Sequence, residues 1–566
     1  MREKYTQQPI WIPFAISAAV VVGLLIGNHI SSNNYIADND RKVNAILNLI
    51  NQDYVDSTNL NDLIEMSIPE ILSNLDPHTT YISAEELKLR SMAENQKGSM
   101  CDIGVQFDLM KDTVVIVEVI PGGPGAKVGL MPGDRIVSID DSTTVGEKIT
   151  KGAVMKRLRG NKGSTVKLGV KRHNGDKTFS FTVTRGPIPQ NTVAAHYMLD
   201  KNTGYIKINQ FGRDTYQEFM TAMANLSDEG AKRYMIDLRG NSGGFVEMAL
   251  RMANEFLPAD ELIVSIHGRY KRDDSEAWSD GTGKYQDAEV AVLIDEFSAS
   301  ASEIFAGALQ DNDRGLIVGC RSYGKALVQK EFILPDSSAI RLTTARYFTP
   351  SGRCIQKSFK RGFNAEYDNE LVERYRRGEM DYSDSIRVDT NQVFATAHGR
   401  IVYGGGGIVP DVFVPRDTSG MTGYFFDVDN AGLLQQFAFS YCNENRESLS
   451  NMSDYKQFLR MAPSDEVLIN MFVDFAEKNG ITPRWYYINI SRDVIVTKLK
   501  ALIARDVFGF QAYYPILNRN DKTVQQALKA LNKHKAVFPI TENLELKSIA
   551  QQRHGLLGEI KKRWLL

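Results

Sequence analysis

Cysteine is scarce in this chain of 566 residues: Cys101, Cys320, Cys354 and Cys442 lie far apart, with no C-x-x-C pair. That spacing excludes a disulfide framework and a thiolate zinc site, so each cysteine is read as a small buried or half-buried residue. An excess of charge of either sign is also missing. With 67 basic and 69 acidic residues the formal charge is −2, which leaves no basic field for nucleic acid and no acidic tail. Internal repeats and low-complexity tracts are absent. What remains is ordinary globular material, 43% hydrophobic and 24% charged, too long for one core and expected to form about three or four units.

One apolar run stands apart. Arg2 and Lys4 precede Ile10 to Gly27, about 18 residues that span about 27 Å as a helix, close to a bilayer core. The run is expected to be an uncleaved anchor in the inner membrane, its basic end in the cytoplasm. A cleaved signal sequence is the alternative, although no A-x-A site follows, and a buried core helix is the third reading. The first two place the bulk of the chain outside the cytoplasm, in the periplasm. No cysteine follows the run, which excludes a lipoprotein.

Residues 28–40 are polar and Asn-rich, a short stalk. From Arg41 to about Leu89 apolar residues recur at helical spacing (Val43, Ile46, Leu47, Ile50; Leu63, Ile64, Ile68), interrupted by the turn Asp76-Pro77-His78. From about Gly98 to Pro187 the texture is β: short runs at Gly104–Phe107, Thr113–Val119, Arg135–Ile139, Thr165–Val170 and Thr178–Thr184, divided by glycine-rich turns, with one helix expected over Gly146–Arg159. From Thr192 to about Arg416 strands (Gly204–Ile208, Tyr234–Leu238, Leu262–His267, Val290–Ile294) alternate with helices (Thr215–Leu226, Val246–Phe256, Ala301–Gln310), the pattern of an α/β layer. The charged stretch from about Lys360 to Val388 reads as a surface excursion. Helical periodicity returns from about Leu433. The expected division is 1–38 anchor and stalk, 39–92 helical segment, 93–187 β module, 188–417 α/β core and 418–566 helical extension.

The densest chemical signal is Leu293-Ile-Asp-Glu-Phe-Ser-Ala-Ser-Ala-Ser-Glu-Ile304. A strand ends at Asp295 and small residues lead into a helix at Ala301. Ser300 then stands at a helix N-terminus, where unpaired N–H groups and the dipole favour negative charge. That suits a nucleophile whose attack creates an oxyanion; by itself it suits a helix cap equally. Downstream, Lys325 follows a glycine in Arg321-Ser-Tyr-Gly-Lys-Ala326. As a general base it requires burial to bring its pKa from about 10.4 toward 7–8, a cost of about 4 kcal/mol. Otherwise it is a solvated surface charge. Upstream, Asp237-Leu-Arg-Gly-Asn-Ser-Gly-Gly244 ends a strand with glycines that permit close backbone approach.

The set Ser-Ala-Ser300-Ala-Ser-Glu, Gly-Lys325, Gln329 and the glycine-rich motif ending at Gly244 resembles the C-terminal processing (tail-specific) peptidases of family S41, over roughly residues 40–415. The resemblance implies a crotonase-like α/β core within a multidomain α/β protein, with Ser300 as nucleophile, Lys325 as base and Gln329 orienting the lysine. Gly244 and Ala301 N–H groups would form the oxyanion hole, and Asp311 would hold a supporting role. Met131-Pro-Gly-Asp-Arg-Ile136 and Leu158-Arg-Gly160 look like an inserted PDZ β-sandwich or barrel. Its carboxylate loop would fall at Ile103, Gly104 and Val105, with Arg159 as a candidate for coupling ligand binding to the active site. The implied activity is serine endopeptidase cleavage of proteins near a free C-terminus, with no metal or cofactor. The helical extension is a candidate for homo-oligomerisation.

The sequence departs from the family pattern at Cys320, where an acid is common, and at Ala326, where glycine is common. Neither position carries a catalytic group. Rival readings are a Ser-x-x-Lys hydrolase (Ser164/Lys167 or Ser453/Lys456), a Ser-His-Asp triad drawing on His78, His196 or His267, and a non-catalytic PDZ scaffold or chaperone-like binding protein with a degenerate core. The last predicts a missing Ser or Lys, whereas both are present.

Overall fold

The computed structural model describes residues 34–88 and 100–536, apart from 111–112, 121–122, 132, 147–148, 173–176, 187, 189–190 and 535. The apolar run Ile10–Gly27 lies outside the described residues. Among the described residues no helix is long and apolar enough to cross a membrane.

Two compact units divide the chain after Leu72. The first contains helix Asn34–Asp53 and most of helix Leu60–Ser73. Helix Asn34–Asp53 reaches back into the segment read from sequence as a stalk.

In the second unit, strands Val105–Met110, Thr113–Val119, Arg135–Ile139, Thr165–Lys171 and Thr178–Thr184 form one antiparallel sheet in that order, with Val105–Met110 at its edge. Helix Lys151–Leu158 packs Val154 and Leu158 into a core with Ile103, Val105 and Phe107. The helix expected from Gly146 begins five residues later. The Thr150 side chain accepts a bond from Ala153 N–H at 3.3 Å, a cap that sets the first turn at Lys151.

The α/β core is built on a six-stranded sheet in the order Val193–Met198, Thr203–Ile208, Arg233–Asp237, Glu289–Ile294, Leu316–Gly319, Val412–Phe413, parallel from the second strand onward. Both faces are buried, as parallel sheets require. Ile206, Ile236, Val292 and Ile317 face helices Thr215–Asp228, Val246–Asn254 and Ala301–Asp311. Their neighbours Tyr205, Met235, Leu293 and Val318 face the opposite way, onto Val524, Ala527 and Leu531 of helix Lys522–Asn532. At roughly 1.5–3 kcal/mol per large apolar side chain, that last helix is an integral layer of the core, although it comes from the C-terminal extension. Its capping residue Asp521 also accepts from Arg239 at 2.8 Å.

A second sheet joins Thr80–Ile82, Ala339–Phe348, Leu262–Gly268 and Ser275–Trp278, with Leu327–Ile333 paired to Ala339–Phe348 as a hairpin that the sequence reading left unassigned. The segment read as a surface excursion is a further correction. It holds helix Asn364–Arg376, and Arg374 and Glu379 are each 1% exposed. These two charges are buried because they pair with each other and with Arg321, as the next section describes. The other described residues of the extension, from Gly423 on, are mainly helical, with their own apolar core around helix Trp485–Phe508.

Candidate active site

Three neighbouring parallel strands deliver the site from their C-terminal ends, the usual place for function in an open α/β sheet. Strand Arg233–Asp237 leads into the glycine-rich loop, Glu289–Ile294 into Ser300, and Leu316–Gly319 into the loop carrying Lys325.

Ser300 is the residue before helix Ala301–Asp311 and has φ 56° and ψ −114°. A non-glycine residue there is strained by about 1–3 kcal/mol and persists only where its surroundings hold it. The flanking serines supply the restraint. Ser298 Oγ donates to Leu238 O at 2.9 Å, and Ser302 Oγ donates to Asn241 O at 2.8 Å, tying both sides of Ser300 to the glycine-rich loop. Ala299 N–H donates to the same Asn241 carbonyl at 3.0 Å. The loop itself is fixed by Asn241 Nδ2 to Ile208 O (3.0 Å) and by Gly240 N–H to Asp295 (2.9 Å). Gly243 lies so close that a Cβ would stand 2.8 Å from Ser300 Cβ, and a Cβ on Gly244 would stand 2.1 Å from Phe211 O. Both also have positive φ, 105° and 142°, so glycine is required at each. The N–H groups of Gly244 and Ala301 donate to no described residue.

Glu303 joins the two halves of the site. It is 1% exposed, and its carboxylate accepts four bonds. Oε2 takes the N–H of Ser300 and of Lys325, both at 2.9 Å. Oε1 takes Ser322 Oγ at 2.5 Å and Gly324 N–H at 2.7 Å. Burial pushes this carboxyl up to about 7 even against four donors that favour the ionised form. Tyr347, also buried, places its hydroxyl 2.8 Å from Lys325 O and 3.3 Å from Ser300 O. Sequence reasoning assigned neither residue. The Ser-x-x-Glu spacing of a capping box, Ser300 to Glu303, is the signal that could have found the first.

Lys325 is half-buried, and its Nζ makes no hydrogen bond or ion pair with any described residue. Its pKa is lowered by burial first and by the positive charge of Arg341 second, against the pull of Glu303 and Asp76. The loop that carries it is anchored from a distance. Arg321 donates to Glu379 at 2.7 and 2.8 Å, and Arg374 donates to Glu379 at 2.8 Å and to the carbonyls of Ser322 (3.0 Å) and Arg321 (2.6 Å).

Gln329 is not brought to Lys325. Its amide nitrogen donates to His78 O, and the strand ladder there skips Thr344, a bulge that redirects the side chain. Asp311 sits at the far end of helix Ala301–Asp311. Burial pushes it up, but Arg353 at 2.8 Å and the hydroxyls of Ser351 and Thr349 outweigh that and hold it below the ordinary range. It touches no group at Ser300 and locks the 349–353 turn. Cys320 is buried, its thiol pushed up to about 12 by burial, and so is chemically quiet.

In the β module Gly104 has φ 73° and its N–H donates to no described residue, whereas Ile103 N–H is taken by Asp102 at 2.6 Å. Val105 opens the edge strand, and it shares a buried core with Val154 and Leu158 of helix Lys151–Leu158. Arg159 follows that helix and pairs with Asp102 at 3.6 Å, both partly exposed. The rival residues lie elsewhere. Lys167 pairs with Asp141, Ser164 bonds Asn161 O and Arg185, and Ser453 bonds Gln457. His196 contacts Asn225 and Gln511, and His267 contacts Asp274. His78, whose carbonyl takes Gln329, turns its ring to Tyr367 at 2.8 Å. Among the described residues no cluster of potential metal ligands occurs.

Residues 202–367 match the model of peptidase family S41, 101–183 match a PDZ domain, and 424–509 match a family of unknown function. The carboxy-terminal-processing protease of Bartonella bacilliformis is 34% identical over 316 residues, covering 55% of this chain and 71% of that protein. The carboxy-terminal processing protease CtpB of Bacillus subtilis is 31% identical over 363 residues, covering 63% of this chain and 74% of that protein. The solved photosystem II D1 C-terminal processing protease aligns with 65% of this chain and 91% of its own at 24% identity, with a TM-score of 0.33. The chain belongs to peptidase family S41 and carries a PDZ domain.

Proposed function

We propose that this protein is a serine endopeptidase that cuts protein substrates near their C-termini, with Ser300 as nucleophile and Lys325 as general base. One observation carries the proposal: a single buried carboxylate, Glu303, binds the backbone of Ser300 and of Lys325 at once. Neutral Lys325 accepts the Ser300 proton as Oγ attacks the scissile carbonyl. The N–H groups of Ala301 and Gly244 receive the developing oxyanion. Protonated Lys325 then gives its proton to the leaving amine, and water hydrolyses the acyl-enzyme, returning Ser300 to its hydroxyl form. No cofactor enters this sequence. Lys325 Nζ must reach Ser300 Oγ for the first step, and Gln329 must leave His78 O to orient it, so the described arrangement is read as a resting one.

The PDZ domain supplies the substrate end. An extended C-terminus adds to the edge strand at Val105, with its carboxylate at the Ile103–Val105 turn and Gly104 N–H as a donor. The reading that Ile10–Gly27 tethers the protein, with its catalytic part outside the cytoplasm, rests on sequence alone.

The test is release of a C-terminal fragment from a protein bearing an unstructured tail, identified by mass spectrometry, for wild type, Ser300→Ala and Lys325→Ala. Loss of about 10³-fold or more in both variants is expected. Equal activity in all three would sink the dyad assignment, and no release from any of them would leave the scaffold reading.

A further inference from the structure

Beside the Lys325 loop lies an open cleft of about 1170 Å³ that the mechanism above does not use. Leu327, two residues after Lys325, forms part of its wall, and so does Gln356, whose Oε1 accepts the N–H of Ala326 at 2.8 Å. A chain lying in the cleft therefore borders the catalytic loop. Its lining is charged unlike the protein as a whole. Arg269, Arg272, Lys330, Arg346 and Arg361 all line it, all are exposed, and none forms an ion pair with an acid among the described residues. A sixth cation, Lys357, is already engaged by Glu370 at 3.4 Å.

Of the three acids in the lining, two are already occupied. Asp76 accepts from Thr79 and Thr343, and Asp389 accepts from Asn391 N–H and Gln392. The third, Asp273, leaves a clear local excess of positive charge in a chain whose net charge is −2. Two of the guanidinium groups are also pre-positioned: Arg272 and Arg269 lie 4.9 and 5.7 Å from the centre of the Tyr270 ring. Planar guanidinium forks held this way match carboxylates in pairs. Phe332 and Phe359 add apolar wall between the charges, which suits a polypeptide better than a bare anion.

We propose that this cleft binds an acidic stretch of the substrate polypeptide, so that the enzyme selects proteins carrying clustered Asp or Glu beside the segment to be cut. The claim that the bound stretch is substrate rests on the peptidase reading; the binding itself does not. It is measured with the Ser300→Ala chain, where nothing turns over. The probes are fluorescent peptides with six Glu, or six Gln, in a Gly/Ser background, amidated at the C-terminus so that the PDZ turn has no carboxylate to hold.

By fluorescence anisotropy at low salt, the Glu peptide should bind about tenfold or more tightly than the Gln peptide, and high salt should erase the difference. Charge reversal by Arg269→Glu, Arg272→Glu and Arg346→Glu together should also erase it, as should the separate pair Lys330→Glu and Arg361→Glu. These side chains are exposed and circular dichroism checks the fold of each set, so one set remains informative if the other misfolds. Equal binding of the two peptides, or a Glu preference untouched by both reversals, would overturn the cleft while leaving the dyad standing.

Discussion

The two arms of the site are held in different ways. Ser300 is fixed by its immediate neighbours: Ser298, Ser302 and Glu303 are within three residues, and the glycine-rich loop comes from the adjacent strand. Lys325 has almost no local support. Its loop depends on Glu303, Tyr347 and the buried Arg374–Glu379 pair, all distant in sequence. The nucleophile arm is thus a local turn under strain, and the base arm is a loop suspended from tertiary contacts. Small structural changes should move the lysine before they move the serine.

Glu303 is the point where the arms meet, so changing it has the largest expected effect. In Glu303→Gln one acceptor oxygen becomes an NH₂ that faces two donors. Activity on a tailed substrate should fall about 10²-fold or more, since small displacements of reacting groups cost that much. Wild-type kcat/KM in this variant would show that the shared carboxylate does not align the dyad.

Next is the base arm alone. Arg374→Met removes the donor to Ser322 O and Arg321 O and leaves part of Glu379 unmatched in the interior. A buried pair broken on one side typically costs about 3–5 kcal/mol. A lower melting temperature by calorimetry and a reduced kcat are expected together. A stable variant with full kcat would break the contrast between the arms.

The smallest effect is electrostatic. Arg341 depresses the pKa of Lys325, so Arg341→Gln should favour protonated lysine and move the acid limb of kcat/KM to higher pH. A limb that stays in place or moves to lower pH would show that this charge does not act on the base.

The same contrast explains what was legible in the sequence. The strands and helices of the core lie within a few residues of where periodicity placed them, because a sheet buried on both faces demands near-continuous apolar runs. Ser300 could be placed from a strand end and a helix start. The suspended arm could not be read. Arg374 and Glu379 look like surface residues in a charged stretch until the fold brings Arg321 to them. The direction taken by Gln329 depends on a bulge in a hairpin that local pattern did not reveal. Helix Lys522–Asn532 shows its amphipathic face in sequence, but not that the face covers the core sheet.

The central claim is that Lys325, half-buried and with no anionic partner for its Nζ among the described residues, works as a neutral base on Ser300. The direct measurement is the pH profile of kcat/KM for wild type beside Lys325→Arg, whose guanidinium stays protonated throughout. The account predicts a wild-type rate that declines as pH falls, and a Lys325→Arg variant inactive at every pH. A wild-type profile flat down to about pH 5, or an active arginine variant, would contradict it.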